Sequence, residues 1–368
     1  MPRRDKKRKL VKKDGDSAPR EISSIDCGDA ESPSVYLVVG HESTHPAYSV
    51  FEVNPFADGG DGEVRMRIRH RMRLASLHAK HCMAFVPMRS RYGLWIVGVG
   101  GDSAHENYGP ETIVFDTKTR AVITGPKLVA TKFYPVLLPV GDKIYSLSRN
   151  PDVKKEPDFV PWFEVLDLSE AQVLDDTLVG CEWKPLPRPP FFPWELTPRQ
   201  YIVPPEVTVK SYVAVGSCIL VSVTGQTGTH MFDTETEHWV KLDDRDLPFT
   251  KVCNTSASLS VKTECHLSLS IVEFPIVTDK EGDEEVGSSS RFVSLGDRGF
   301  CSLSCWMNDS TLGPEHTREL VSVRAYTSQD HSNTFGNLLV PNQRKQVYSI
   351  HDSFRGLTWP CLEAVISF

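Results

Sequence analysis

A short phrase, Phe-Asp-Thr-x-Thr, occurs twice in this sequence, at residues 115–119 and 232–236. An apolar run precedes each copy and ends in glycine, at Gly100-Gly101 before the first copy and at Gly225 before the second. Aspartate and threonine side chains can bond the backbone of a tight turn, and a further strand follows each copy. The recurrence therefore predicts a repeated hairpin within a repeated structural unit, in preference to a catalytic motif.

The rest of the chain has the texture of an all-β protein. From residue 36 onward, short apolar runs of four to seven residues alternate with clusters of Gly, Pro, Asp and Ser, as in β-strands joined by turns. The 26 prolines and 24 glycines agree with many turns and short strands. We expect no long helix, because helical periodicity nowhere extends beyond about twelve residues.

Looser copies extend the repeat along the chain. The aspartates that mark the turn fall at Asp116, Asp167 and Asp233, and their spacings bracket a period of about 50 residues. One four-stranded unit cannot cover both faces of its own sheet, so the units are expected to stack radially as a β-propeller of five to six, or seven, four-stranded blades. The recognisable units, of which the last is long enough to hold two, are residues 33–78, 81–130, 132–190, 207–250 and 262–330.

Two of these units carry residues of the kelch repeat. A kelch blade has an apolar run, a Gly-Gly doublet, an aromatic residue and, after six residues, a tryptophan. Gly100-Gly101 matches the doublet in one unit, and Phe232 with Trp239 matches the aromatic pair in another, whereas Val122 takes the tryptophan position after Phe115. The chain resembles kelch proteins in these residues, which implies a kelch-like β-propeller fold.

A second resemblance covers most of residues 33–330. The basic start, "YLVV" (36–39), the repeated phrase and "RFVSLGDRGFC" (291–301) are similar to a family of uncharacterised kelch-like proteins expanded in grasses. This resemblance implies a plant protein with a domain of unknown function. It implies no activity, since the family has none assigned.

The repeat and the composition divide the chain into three predicted segments. Residues 1–32 are polar and charged and are predicted to form a disordered basic arm. Residues 33–350 are predicted to form the propeller, and residues 351–368 a C-terminal tail or ring-closing segment. The stretch "KQVYSI" (345–350) is a further candidate for a strand that closes the ring.

The basic arm and the cysteines indicate the cellular compartment in which the protein is expected. The arm lacks the apolar region of a secretory signal, and no stretch approaches the roughly 20 apolar residues of a membrane span. Nine cysteines, an odd number without a CxxC pair, then indicate reduced thiols in a cytoplasmic or nuclear protein. The arm holds a candidate nuclear import signal, with a solubilising tail as the alternative: Arg3, Arg4, Lys6, Lys7, Arg8 and Lys9.

An arginine-rich stretch, "RMRIRHRMRL" (65–74), alternates basic and apolar residues. In a single strand, period two would place five guanidinium groups on one face. A solvated outer strand is one interpretation, and a docking face for an acidic or phosphate-bearing protein is the other. Nucleic acid is disfavoured, because interleaved aromatics are missing and the net charge is −7. The candidate docking residues are Arg65, Arg67, Arg69, Arg71 and Arg73.

Metal and cofactor sites are not predicted. "LHAKHC" (77–82) offers His78, His81 and Cys82, but no second pair stands at ligand spacing. Cys301 and Cys305 are four apart, too far along a strand for one tetrahedral ion, and are expected to be structural thiols. Phosphate loops, nucleophile elbows and dinucleotide-binding motifs are also missing from the sequence, so we expect no cofactor and no metal.

The sequence therefore predicts a monomeric intracellular β-propeller that binds a protein partner through its loops, without enzymatic activity. It would serve as a substrate receptor or adaptor, because rigid sheets can hold variable recognition loops. The rival prediction is a propeller-type hydrolase or cyclase with a site at the central channel. Its candidate contributors are His41, His45, Asp102 and His105.

Overall fold

The computed structural model of the chain describes residues 34–41, 46–56, 64–68, 73–101, 109–151, 161–203, 205–248, 251–252, 257–263, 266–271, 276–277, 289–295, 300–308, 318–326, 338–339, 343–350 and 360–368. The chain divides between Ser32 and Pro33 into two units, and the second unit holds all of these residues. The described residues form five four-stranded blades arranged as a β-propeller, with a single short helix among them. The prediction of an all-β propeller is confirmed.

The elements of the described residues follow in chain order. The first group is β1 (Val35–His41), β2 (Tyr48–Val53), β3 (Val64–Ile68), β4 (Arg73–Leu77), β5 (Met83–Ser90), β6 (Gly93–Gly100), β7 (Thr112–Asp116), β8 (Val122–Thr124), β9 (Val136–Val140), β10 (Lys143–Leu147), β11 (Phe163–Asp167), β12 (Gln172–Leu174), β13 (Thr177–Val179) and β14 (Trp183–Pro185). The second group is α1 (Pro198–Ile202), β15 (Val209–Val215), β16 (Cys218–Val223), β17 (Thr229–Asp233), β18 (His238–Asp243), β19 (Lys251–Val252), β20 (Ala257–Thr263), β21 (His266–Ile271), β22 (Ile276–Val277), β23 (Ser289–Ser294), β24 (Phe300–Asn308), β25 (Arg318–Tyr326), β26 (Leu338–Leu339), β27 (Gln343–Ile350) and β28 (Pro360–Ser367).

The first blade combines both ends of the propeller sequence. Its strands run in the order β28-β1-β2-β4, and β28 pairs antiparallel with β1 from Val35↔Ser367 to His41↔Pro360. The strand that closes the ring is therefore β28, within the C-terminal segment. The "KQVYSI" stretch instead belongs to β27 in the last blade. This pairing joins the C-terminal segment to the first strand of the propeller within one blade.

The other blades follow the chain from the inner strand outward. The second blade is β5 to β8, the third is β9-β10-β11-β14, the fourth is β15 to β18, and the last is β23-β24-β25-β27. The inner strands contact one another in the order β23, β28, β5, β9 and β15. Between the fourth and last blades in the sequence, β20 and β21 form a two-stranded sheet. The fifth predicted unit, 262–330, thus contains parts of three sheets, since β22, which pairs with β26, belongs to neither of the other two.

The hydrophobic core lies between successive blades. Phe115 of the second blade is buried with Tyr36 and Tyr48 of the first, and Phe232 of the fourth is buried with Phe163 of the third. Comparable clusters join the second blade to the third and the last blade to the first. Each sheet therefore covers the faces of its neighbours, as radial stacking requires.

The repeated phrase forms the same turn in the second and fourth blades. Asp116 Oδ1 accepts hydrogen bonds from the backbone N–H groups of Lys118 (2.8 Å) and Thr119 (2.9 Å). Asp233 Oδ1 likewise accepts from Glu235 (2.9 Å) and Thr236 (3.4 Å). The predicted bonding of aspartate to its own turn is therefore present in both copies.

Long connections between third and fourth strands carry an added strand. In the first blade this strand is β3, which pairs in parallel with β27 of the last blade. In the third blade it is β13, which pairs in parallel with β8 of the second. In the last blade it is β26, which pairs in parallel with β22, a strand that precedes that blade in the chain. These added strands tie a blade to the sheet before it.

This arrangement divides the arginine-rich stretch. Arg65 and Arg67 lie on β3 and thus in the sheet of the last blade, whereas Arg73 lies on β4, paired with β2. The expected single strand across residues 65–74 is not formed, because the chain leaves the first blade to reach β27 and then returns. Arg69 and Arg71 lie outside the described residues.

Candidate functional site

The connections from one blade to the next lie at the end of the propeller where the inner strands begin, here called the entry end. They join the outer strand of one blade to the inner strand of the next, as β8 to β9 through residues 125–135 and β14 to β15 through residues 186–208. The last residues of β1 also lie there, because His41 pairs with Pro360 at the start of β28. Recognition sites are commonly built on connections held by rigid sheets.

Two buried ion pairs lie at this end. Lys80 Nζ is 2.9 Å from Glu111 Oε1, and Lys132 Nζ contacts Glu164 Oε1. All four side chains are at least nine-tenths buried. Burial lowers the pKa of Lys132, while the neighbouring Glu164 carboxylate acts in the opposite direction. Each lysine stands just before an inner strand and each glutamate at or near the start of a third strand, so the pairs brace the second and third blades.

The carboxylates of these pairs also hold the β8–β9 connection. Glu164 accepts hydrogen bonds from the backbone N–H groups of Val129 (2.9 Å) and Ala130 (3.2 Å). Glu111 Oε1 accepts a hydrogen bond from Thr131 Oγ1 at 3.1 Å. Because these acceptors are buried and charged, their bonds are stronger than those between neutral groups. The connection is therefore held in one conformation by anchors on two blades.

Apolar side chains project into solvent from the same connections. Val129 is 54% exposed and Phe133 is 59% exposed on the β8–β9 connection. Ile202 is 81% exposed and Val203 67% exposed on the β14–β15 connection. Among the described residues, eight large apolar side chains are exposed. Four of them lie on these two successive connections at the entry end. Clustered exposure of this kind marks interaction surfaces more often than scattered single residues do.

A second group, here called the entry site, consists of Tyr134, Glu363, Gly40, Cys82 and Cys361. The Tyr134 hydroxyl donates a hydrogen bond to Glu363 Oε1 at 3.3 Å. Glu363 is the extra residue of a β-bulge in β28, since Val38 pairs with Ala364 and Val39 with Leu362. Bulges re-aim side chains next to functional sites.

Glycine at position 40 makes room for this carboxylate. A Cβ atom on Gly40 would lie 2.8 Å from both Cγ and Oε1 of Glu363. A nonbonded Cβ atom essentially never comes that close to another heavy atom, so a larger residue at position 40 would displace the Glu363 side chain. The bulge and the glycine together set the position of the Glu363 side chain.

The backbone around the entry site is strained. Cys82 has φ of 63° and Tyr134 has φ of 42°, and neither residue is glycine. The Tyr134 N–H donates to the Cys82 carbonyl at 2.8 Å, and Arg149 Nε donates to the Tyr134 carbonyl at 3.1 Å. Burial raises the pKa of Tyr134, and the Glu363 charge and Cys82 raise it further. Left-handed backbone at non-glycine residues is concentrated at functional sites.

The contributors predicted for an enzyme are only partly described. His41 is buried, and its Nε2 lies 2.8 Å from Ser49 Oγ. Burial, together with the nearby Arg73 and His81, lowers the pKa of His41 to about 4. His45, Asp102 and His105 lie outside the described residues. Within the described part of the chain, no three His, Cys, Asp or Glu side chains are grouped so that they could hold a metal ion.

The other predicted residues have varied positions. Arg3, Arg4, Lys6, Lys7, Arg8 and Lys9 all precede the described part of the chain, and so does the rest of the arm. Cys301 is buried on β24, which raises its pKa to about 12, and Cys305 is partly buried. The described residues contain no helix long and apolar enough to cross a membrane.

Sequence reasoning did not find the entry site. Tyr134 follows Phe133 in an aromatic pair just before an inner strand, and that pair was the only local signal. Glu363 lies in a C-terminal segment without a readable motif. The two residues are 229 positions apart, and only ring closure brings them together.

Comparisons with known proteins identify the family. No curated protein matches the chain. Among solved structures, a provisionally assigned 6-phosphogluconolactonase from Bacteroides fragilis is similar at 12% identity, with 87% of this chain and 83% of that chain covered and a TM-score of 0.38. Apo AztD from Citrobacter koseri is similar at 12% identity, with 86% and 98% covered and a TM-score of 0.27. The model of the family described as "Protein of unknown function (DUF1668)" matches residues 32–348, so the chain belongs to the DUF1668 family.

Proposed function

We propose that the protein is an interaction module that binds a protein partner at the entry end of its propeller and acts as a substrate receptor or adaptor. The supporting observation is the β8–β9 connection, where Val129 and Phe133 are exposed on a segment anchored by Glu111 and Glu164. Apolar side chains fixed before binding lose little conformational entropy when a partner arrives. An exposed aromatic residue on such a segment suits the role of a binding hot spot.

The buried ion pairs fit this role better than a purely stabilising one. A buried salt bridge adds little net stability relative to apolar residues of the same volume, because both charges lose their hydration. The Lys132–Glu164 pair does, however, place the N–H groups of Val129 and Ala130 on a fixed acceptor. Its contribution is therefore the conformation of the recognition segment.

The experiment compares partners captured in cells that express the protein. A variant with Val129→Ser, Phe133→Ser and Ile202→Ser would remove the apolar side chains of the entry end. The matched control carries Tyr92→Ser and Val240→Ser, exposed residues of the β5–β6 turn and of strand β18, which lie outside these connections. The proposal expects the entry-end variant to lose the partners that wild type and control retain. Partners that are lost from the control instead, or retained by all three proteins, would overturn it.

The arginine-rich stretch remains a predicted second docking face for an acidic or phosphate-bearing partner. Its remaining support is that Arg65 and Arg67 both lie on β3. Replacement of all five arginines between 65 and 73 by serine would test it. Unchanged partners with unchanged salt dependence would remove the hypothesis. Nuclear import by the basic arm, a cytoplasmic or nuclear location and a monomeric state also remain predictions.

A further inference from the structure

We propose that the entry site recognises a cationic side chain, lysine or arginine, presented by the protein partner. The inference rests on the proposed function and names the chemistry of the contact. Three groups at the entry end support it, each in contact with the next: the Glu363 carboxylate, the Tyr134 phenol and the exposed Phe133 ring.

The carboxylate is held in place for this contact. Glu363 is half-buried at a bulge of the innermost strand, lies over Gly40, and receives a hydrogen bond from Tyr134. Glu363 has further contacts as well. An incoming cation does not need to displace them, because a carboxylate accepts about four hydrogen bonds.

An aromatic wall, formed by Phe133, packs on the phenol that donates to the carboxylate. The Phe133 ring packs edge-to-face on the Tyr134 ring with 4.9 Å between centroids, and it remains 59% exposed. A lysine or arginine side chain has an apolar stem and a charged end, so it can lie on Phe133 while its charge meets Glu363. The face of an aromatic ring also attracts a cation.

The nearby lysine charges are compensated within the protein. Lys80 and Lys132 are each paired with a buried glutamate, whereas the Arg149 guanidinium, whose Nε–H donates to the neutral Tyr134 carbonyl, keeps its positive charge. The net charge of the chain is −7. Long-range attraction and the local carboxylate therefore act in the same direction.

The test uses tetralysine and tetraglutamate peptides as probes, with binding measured by titration calorimetry at two salt concentrations. The variant is Glu363→Gln, which keeps the shape and removes the charge. Its matched control is Glu170→Gln, which removes the same charge from an exposed turn between β11 and β12. Thermal unfolding of both variants checks that the ring-closing strand is intact.

Wild type should bind tetralysine, with weaker binding at higher salt, and should not bind tetraglutamate. Glu363→Gln should weaken tetralysine binding about tenfold, as expected for the loss of one charge-assisted hydrogen bond. Glu170→Gln should leave it within about twofold, as expected for a screened surface charge. Equal weakening by both variants, or no binding by wild type, would overturn the inference.

A further pair of variants examines the aromatic wall. Phe133→Leu keeps an apolar side chain but removes the ring, and should weaken tetralysine binding about threefold. Val129→Leu, on the same connection, should not. If partner capture depends on Phe133 but not on Glu363, the proposed function stands and this inference fails. If Glu363 governs peptide binding but no partner depends on the entry end, the proposed function fails.

Discussion

Phe115 and Phe232 occupy equivalent places in the second and fourth blades. Both lie on a third strand, both are fully buried, and both face the preceding blade. Their cross-strand partners differ, since Phe115 is opposite Val122 and Phe232 is opposite Trp239, with the rings of the second pair 5.0 Å apart. The equivalence explains why the phrase that begins with these residues recurs.

Shortening either ring should weaken its interface between blades. We expect Phe115→Leu and Phe232→Leu each to lower the free energy of unfolding by about 1–2 kcal/mol, because each leaves a cavity between two sheets. Urea denaturation measures the change. Val240→Ala, at an exposed position on β18, serves as the control and should change stability by less than about 0.5 kcal/mol. A small effect at both phenylalanines would contradict the radial packing.

The two aspartates of the phrase should contribute unequally. Asp116 binds two backbone N–H groups through Oδ1 and also accepts a hydrogen bond from Trp95 Nε1 through Oδ2 at 3.3 Å. Among the described contacts, the Asp233 carboxylate accepts hydrogen bonds only from backbone N–H groups of its own turn. These bonds are more exposed to solvent than those of Asp116. Asp116→Ala should therefore cost about 2–3 kcal/mol and Asp233→Ala about 1 kcal/mol. Thermal unfolding of the two variants measures both losses of stability. Equal losses would show that the contact with Trp95 does not contribute.

The Lys132–Glu164 pair should show strong coupling between its members. Lys132→Met leaves a buried glutamate without its cation and should lower the free energy of unfolding by about 3–5 kcal/mol. Adding Glu164→Gln removes the unpaired charge and keeps one acceptor oxygen, for either Val129 or Ala130, so part of the loss should be recovered. A double-mutant cycle by urea denaturation measures the coupling. Additive losses would mean that the two side chains do not act as a buried pair.

The parallel pairing of β3 with β27 should protect the outer edge of the last blade. Met66 is paired with Tyr348, and Met66→Pro removes the N–H group at that position of the ladder. We expect faster amide exchange at residues 343–350, corresponding to about 1–3 kcal/mol of lost local stability. Met66→Ala keeps the backbone donor and is the control. Unchanged exchange in the proline variant would show that β3 does not hold this edge.

The buried His41 should make stability depend on pH. Its pKa is about 4 in the folded protein, against about 6.5 when unfolded. Between these values the unfolded chain binds more protons, so stability is complete above pH 6.5 and decreases as the pH falls toward 4. The loss should be at most about 3 kcal/mol. Urea denaturation from pH 7 to 4.5 should show a shallower decrease for His41→Gln, and parallel curves would exclude this histidine as the cause.

The sequence alone allowed the strands and the turns to be predicted. Strand texture and turn chemistry are local: short apolar runs, glycine at bends, and an aspartate that bonds amides two and three residues later. The same local signals at Phe115 and Phe232 predicted equivalent surroundings, as the structure shows. A blade-shaped unit that cannot cover its own faces then required stacking.

Tertiary structure alone decided which strand closes the ring and where long-range contacts form. Nothing local distinguishes β28 from β27 as the partner of β1, and pairing energies for short apolar strands are too similar to choose between them. The split of the arginine-rich stretch between two sheets and the 229-residue separation of Tyr134 and Glu363 have the same cause. Such contacts depend on how all blades fit around one axis, which is a property of the complete ring.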